Sequence, residues 1–541
     1  MATVDRAGQG ARRKTVVALC VAVGLASLGA TGCRVSEDDV HRWEQTAHGP
    51  DKLKAVLQHD KYDNNLRVEA ALSLIRMKPR AGRRVGIGIM VDTLAAVAPE
   101  TRQGIVGALV PALIVELKKP PPVAQAGQPA PPDPSFSYKD AAFALLTRDG
   151  TVMIADEGLK QNLKLALIDW AMADFVHRLD NRTQTYGMEQ LLRLIGPPAV
   201  AGIPKLMVRE ARKLDQMASL VAELGDDKAK LAASQAMVAV AQYVASDEWL
   251  KIKTPELQAA NAASKKQPTE AQFKSQLSTY QEEELIRTFG TMKKIGGRPV
   301  VDFLLDFAAK KDQSEKRRAA ALAALEGRLD RNNPDDVKRL FAIATSDAPD
   351  SVVDAAFRRL SEMPREVVVE KLYSTFRNDT KDKDKDPKWK VRRVAAATVL
   401  RMSKAQHAEE FLGKLPTDPK GFALPEALTY GALLGDLKDG KPLDTLSKYF
   451  GNGTAVQRTV ALGYWYSFGT PKDLPTLAPF ENDTAAAPTC DADADCKWSC
   501  DVAKEGAAKD APKETKEVKT IGDFVRYCVE PEMKSKPEPK K

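Results

Sequence analysis

The chain reads as all-α: a repeated array in which two kinds of helix alternate, ended by a small cysteine-rich module. Three observations predict this. Ala, Leu, Lys and Glu are plentiful, while aromatic residues make up only 6% of the 541, a composition that suits a largely helical protein. A motif recurs in "LRVEAALSLI" (66–75), "RRAAALAAL" (317–325) and "RRVAAATVL" (392–400): an Arg, a pair of small residues two or three positions on, and an aliphatic residue eight positions after the Arg. "VVDAAFRRL" (352–360) keeps the Ala pair and the closing Leu without the Arg. A second kind of segment carries apolar residues at i, i+3, i+4 and i+7, which lays a stripe along one helix face. It occurs at Val300, Phe303, Leu304 and Phe307, at Val337, Leu340, Phe341 and Ala344, and at Val369, Leu372, Tyr373 and Phe376.

The two kinds alternate with a period of roughly 35–40 residues, as a repeat architecture does. Two junctions match: "IGPPAV" (195–200) and "IGGRPV" (295–300) each close a helix with Ile-Gly and open the next with Pro. Gly suits the position after a helix end and Pro the first helical turn. On these features the chain resembles HEAT repeats, over most of residues 50–415 and best over 282–402. The family's Asp-to-Arg ladder is matched by Asp386 and Arg392, while Asp60–Arg67 and Asp312–Arg317 are spaced one residue differently. The resemblance implies antiparallel helix pairs stacked into a curved α-solenoid with an extended concave face for binding.

Breaks divide the array. The expected organisation is HEAT-like helices over 50–117, a Pro-rich loop over 118–137, further helices over 138–258, a linker over 259–275, the best-defined repeats over 276–415 and an irregular helical end over 416–480. Residues 118–134 hold seven prolines in seventeen and exclude a helix. A Cys-rich module over 481–530 and a disordered tail over 531–541 complete the chain.

Residues 1–32 have a different character. Arg6, Arg12, Arg13 and Lys14 precede thirteen uncharged residues, Val16 to Leu28, and small residues follow. That is the pattern of a secretory signal peptide, too short to span a membrane comfortably. Ala30-Thr31-Gly32-Cys33 then resembles the lipobox of bacterial lipoproteins. The resemblance implies cleavage before Cys33, a diacylglycerol on its thiol, a tether over 33–49, and a membrane anchor built from several acyl chains. Arg34, where Asp would favour inner-membrane retention, points to the outer membrane.

Without the signal the chain carries 77 basic against 72 acidic residues, a net +5 too dilute to argue for nucleic acid. Cys490, Cys496, Cys500 and Cys528 are confined to the last 52 residues, and in an exported chain this even set reads as two disulfides, with three pairings open. Trp498, Phe524 and Tyr527 are expected to pack this small module.

Asp491, Asp493 and Asp495 alternate like the first three oxygen ligands of a Ca²⁺ loop. Cys496 and Val502 replace the Gly and the bidentate Glu of that pattern, so a solvated acidic loop pinned by disulfides is the plainer reading. The C-x5-C-x3-C-x27-C spacing does not favour zinc, and no other metal is expected. Trp170, Asp174 and His177 fall on one face of a continuous helix, where Asp and His could form a base pair, but no nucleophile motif accompanies them. No Walker A, G-x-S-x-G, G-x-G-x-x-G or HExxH occurs. No enzyme, cofactor or small-molecule substrate is therefore expected.

Basic pairs recur at Arg317/Arg318, Arg358/Arg359 and Arg392/Arg393. Arg317, Arg318, Arg392 and Arg393 share a register and are candidates for a stripe that contacts an acidic partner; an inter-repeat Asp–Arg ladder with solvated helix ends is the alternative. The expectation is a membrane-anchored, non-enzymatic scaffold that binds a protein in the cell envelope. A structural envelope component is the second reading, and an enzyme or Ca²⁺-regulated binder on the same fold the third.

Overall fold

In a computed structural model of the protein, residues 35–79, 84–123, 131–180, 185–208, 213–265, 267–377, 389–415, 417, 424–437, 445–446, 448–449, 452–487, 499–502 and 513–537 are described. They are mostly helical, with one two-stranded sheet. The chain divides into two compact units, Met1–Leu191 and Leu192–Lys541, and the boundary falls inside the expected 138–258 run.

The first unit contains α1 (Glu37–Trp43), α2 (Gly49–Gln58), α3 (Asn64–Arg76), α4 (Val85–Ala96), α5 (Pro99–Leu117), α6 (Ser135–Thr147), α7 (Glu157–Ala173) and α8 (Phe175–Asp180). The boundary residues lie in α9 (Met188–Ile195). Here α2 packs on α3 and α4, α3 on α4 and α5, and α5 on α6 and α7, so helices meet chiefly those one and two along the chain. Leu53, Val56 and Leu57 of α2, Ala70, Ala71, Leu74 and Ile75 of α3, and Ile105, Val106, Leu109 and Val110 of α5 are buried. Helix α6 is buried on every side from Ser135 to Leu145.

The second unit continues with α10 (Pro197–Val200), α11 (Ile203–Leu206), α12 (Leu214–Leu224), α13 (Asp227–Val244), α14 (Asp247–Ala263), α15 (Glu270–Ile295), α16 (Arg298–Ala309), α17 (Glu315–Ala324), α18 (Pro334–Ala344), α19 (Asp350–Leu360), α20 (Arg365–Arg377), α21 (Trp389–Arg401), α22 (Ala408–Gly413), α23 (Leu424–Gly435) and α24 (Ala455–Phe468). A row of α13, α15, α17, α19, α21, α23 and α24 packs each on the next, and α16, α18 and α20 each pack on the helix that follows. The stripes read from the sequence supply this interior. Val300, Leu304 and Phe307, Val337, Leu340, Phe341 and Ala344, and Val369, Leu372, Tyr373 and Phe376 are all buried, with Phe303 half-buried. Each large side chain among them contributes about 1.5–3 kcal/mol on burial.

Both Gly junctions fold as their chemistry requires. Gly196 has φ of +81°, and Gly296 and Gly297 have φ of +67° and +87°, a region that favours glycine. Pro197 is the first residue of α10 and Pro299 the second of α16.

Two expectations need correction. The tail expected to be disordered over 531–541 is helical to Ser535, with Met533 buried, because it packs back on the helix at 455–468. The linker over 259–275 is mostly helix, the end of α14 and the start of α15. The Thr269 hydroxyl accepts from the Gln272 N–H at 3.3 Å, and the Gln272 amide oxygen accepts from the Thr269 N–H at 2.9 Å. This capping box starts α15 despite the polar, Pro-containing approach. Asn261 donates to Gln276 at 3.1 Å, so the two helices lie side by side as a hairpin.

The C-terminal module pairs β1 (Ser499–Val502) with β2 (Glu514–Glu517) antiparallel, Ser499 opposite Glu517. A helical run over 521–535 follows, with a π-turn at Val525–Val529 between α25 (Ile521–Phe524) and α26 (Glu530–Ser535). The π-turn and α26 pack on α24, and buried Met533 lies against Gly469 just past the end of α24. Phe524 is buried and Tyr527 half-buried.

Candidate functional site

The last carbonyls of a helix have no partner within it. Here arginines on the following helix reach back to them. The Nε of Arg67 donates to the Leu57 carbonyl at 3.0 Å, that of Arg318 to Ala308 at 2.8 Å, and that of Arg392 to Phe376 at 3.0 Å. Arg102 donates through Nη1 to Ala95 and Val97, both at 3.3 Å. A guanidinium at this place also meets the negative end of the helix dipole. Each of these arginines is followed by buried residues at +3, +4 and +7, for example Ala321, Leu322 and Leu325 after Arg318.

This geometry corrects the register read from the sequence. Arg318, only 5% exposed, is the equivalent of Arg67 and Arg392; Arg317 is one residue off. Arg317 turns back to α15 instead, donating to Gln281 at 3.1 Å and to the Ser278 carbonyl at 3.3 Å, with Glu282 at 3.7 Å. Burial holds its guanidinium below the ordinary arginine range and the Glu282 carboxylate opposes the shift. The expected contact stripe therefore does not run through Arg317, Arg318 and Arg392, whose guanidiniums are turned to neighbouring helices.

Arg393 has a different setting. It lines a recess of about 260 Å³ formed by α19, α21 and α23, together with Asp354, Arg358, Val394, Ala397, Arg401 and Thr429. Asp354 and Arg358 are one turn apart on α19, and Arg393, Ala397 and Arg401 follow at successive turns of α21. Arg358 and Arg401 are exposed and Arg393 is half-buried. Next to the lining residue Thr429, Tyr430 of α23 is fully buried. Burial pushes its hydroxyl pKa well above the ordinary tyrosine value and the Glu426 carboxylate adds to the shift, while Arg392 and Arg393 oppose it. Arg358 and Arg401, exposed beside the lining carboxylate of Asp354, give the recess cationic groups suited to carboxylates or other anions.

A second polar cluster, in the first unit, was missed from the sequence. Asp140 is fully buried and accepts from Lys139 Nζ at 2.6 Å, Thr185 N–H at 2.8 Å and Tyr186 N–H at 3.3 Å, with Arg84 Nε at 3.2 Å. Nearby, the Trp170 indole donates to Ser135 at 2.7 Å, and the Arg178 guanidinium lies over its ring at 4.4 Å. Asp140 accepts three hydrogen bonds from the fold and has the Arg84 guanidinium beside it, the setting of a structural ion cluster. The signal was the "SFSYKDAAFALL" run (135–146), uncharged around the whole helix circumference except at Lys139 and Asp140.

The face expected to carry Trp170, Asp174 and His177 is not continuous. Asp174, at φ −148°, ends α7, and α8 starts after it. His177 meets Asp174 at 3.0 Å on an exposed loop-side turn, while Trp170 is buried.

Cys500 and Cys528 form a disulfide that ties β1 to the π-turn. Cys33, Cys490, Cys496, Asp491, Asp493 and Asp495 lie outside the described residues. Among the described residues no three His, Cys, Asp or Glu side chains gather as a metal site, and no helix is long and apolar enough to cross a membrane. The sequence matches no protein-family model and no curated protein.

Proposed function

We propose that this protein is an exported lipoprotein, anchored through Cys33 to the outer membrane, whose HEAT-like α-solenoid is a non-enzymatic scaffold for another protein of the cell envelope. The observation that carries the reading is the row α17, α19, α21, α23, each helix packed on the next, with α17 and α21 each joined to the preceding helix by an arginine-to-carbonyl link. Stacked helix pairs of this kind offer a long surface rather than an enclosed cavity, and such surfaces bind chains. The recess lined by Arg358, Arg393 and Arg401 is partly open to solvent. Cys490 and Cys496 are left to pair with each other once Cys500 and Cys528 are joined.

The test is photo-crosslinking in intact cells from a benzophenone side chain at position 354. A scaffold gives one discrete adduct with another envelope protein, absent when the probe sits on the buried face at Leu372. No adduct at position 354, with the protein folded and exported, contradicts the reading.

A further inference from the structure

We infer that the recess between α19, α21 and α23 takes an acidic polypeptide segment, whose carboxylates sit between Arg358, Arg393 and Arg401. This rests on the scaffold reading and names the partner's chemistry. Three observations carry it. The guanidiniums of Arg358 and Arg401 are exposed and make no ion pair or side-chain hydrogen bond with any described residue, whereas most other arginines of the array are engaged. An arginine held at a surface without a partner is matched by a carboxylate, which it binds through two parallel N–H···O bonds.

The cations are also spread along a line. Arg393 and Arg401 are eight residues apart on one helix, about 12 Å along its axis. That spacing suits several carboxylates carried on one chain, about four residues apart when extended, better than a single compact anion. The lining between the arginines, finally, is apolar: Ala397 is buried and Val394 half-buried. Asp354 is the carboxylate among the described lining residues, and it rejects chains that place a negative charge beside it while leaving Arg401 open.

The experiment is fluorescence anisotropy with a fluorescein-labelled decaglutamate peptide and the full lipidated chain in detergent, at low salt of about 50 mM, where charge contacts are least screened. Saturable binding is expected, weakened by roughly tenfold or more in R358A/R401A and by only a few-fold in R358K/R401K. D354N, which removes the opposing charge, is expected to tighten binding by about two- to threefold, and it supplies a test independent of the arginine variants.

Absence of saturable binding, or R358A/R401A and D354N both binding like wild type, overturns the inference. So does inorganic phosphate or polyphosphate displacing the peptide at far lower charge concentration, which would make this a phosphate site. If decaglutamate fails while the position-354 crosslink still captures an envelope protein, only the acidic-segment inference falls. If the crosslink fails too, the scaffold reading falls with it.

Discussion

Lys139 and Asp140 are adjacent in sequence, both fully buried, and joined at 2.6 Å inside the first unit. Adjacent helix residues point apart, so the Lys139 stem must curl back for its amine to reach the carboxylate. The pair holds because the helix around it is buried and Arg84, Thr185 and Tyr186 complete the coordination of Asp140. Burial pushes the Lys139 amine pKa down, and the Asp140 carboxylate opposes that shift.

Removing one partner from such a buried set leaves an uncompensated charge. Asp140→Ala is expected to destabilise the first unit by about 3–5 kcal/mol. Lys139→Met is expected to cost less, because Asp140 keeps Arg84 and two backbone N–H groups. Thermal unfolding of both variants, with hydrogen exchange over 135–147, reads the order. Equal losses would mean the lysine is as essential as the carboxylate.

The arginine links give a second contrast. Arg318→Ala strands the Ala308 carbonyl and exposes a buried pocket, with an expected cost of about 1–3 kcal/mol. Arg317→Ala removes a part-buried hydrogen bond to Gln281 but leaves the Ala308 carbonyl paired, with an expected cost of about 0.5–1.5 kcal/mol. Hydrogen exchange in α16 and α17 separates them, since only Arg318→Ala should raise exchange at the end of α16.

Between α16 and α18 a charge ladder adds a pH dependence. Asp302 accepts from Arg339 at 2.7 Å and pairs with Arg298, which reaches on to buried Asp336 at 2.7 Å. The Arg298 hydrogen bond, with Arg339 adding to it, holds the Asp302 carboxyl below its ordinary value of 3.8. The folded chain thus binds this proton more weakly than the unfolded one. The contribution is complete above that ordinary value and is lost as pH falls through the lowered folded one. The melting difference between wild type and Asp302→Asn is expected at about pH 6 and should vanish in strong acid. A difference that persists in acid would show that the side chain acts through packing instead.

Where α23 and α24 cross, their backbones touch. A Cβ on Gly431 would lie 2.2 Å from the Gly463 carbonyl carbon, and one on Gly463 would lie 2.2 Å from the Ala427 oxygen. Either glycine replaced by Val must push the helices apart, at an expected cost of about 1–3 kcal/mol or more. The C-terminal module rides on α24, so limited proteolysis over 499–537 should rise in Gly463→Val. Unchanged protection would mean that the module holds independently of the crossing.

Much of this was legible because it is local. The apolar stripe of Val300, Leu304 and Phe307 is set by helix periodicity, and the turn at Gly296–Gly297 by backbone chemistry. Thr269-x-x-Gln272 was an equally local signal, a capping box masked by the polar residues around it. What was not legible depends on three-dimensional neighbours. Nothing in "YKD" says that the helix carrying it is enclosed. Arg317 and Arg318 look interchangeable until the Ala308 carbonyl selects one. Arg358 joins Arg393 and Arg401 only because α19 packs beside α21.

The measurement that tests the account most directly is intact-mass analysis and membrane fractionation of the native protein beside Cys33→Ser. The account predicts a mature chain beginning at Cys33 with a diacylglyceryl group and added acyl chain, found in the outer membrane, and a soluble or uncleaved product from the variant. An unmodified thiol at Cys33, with wild type and variant fractionating alike, would contradict it.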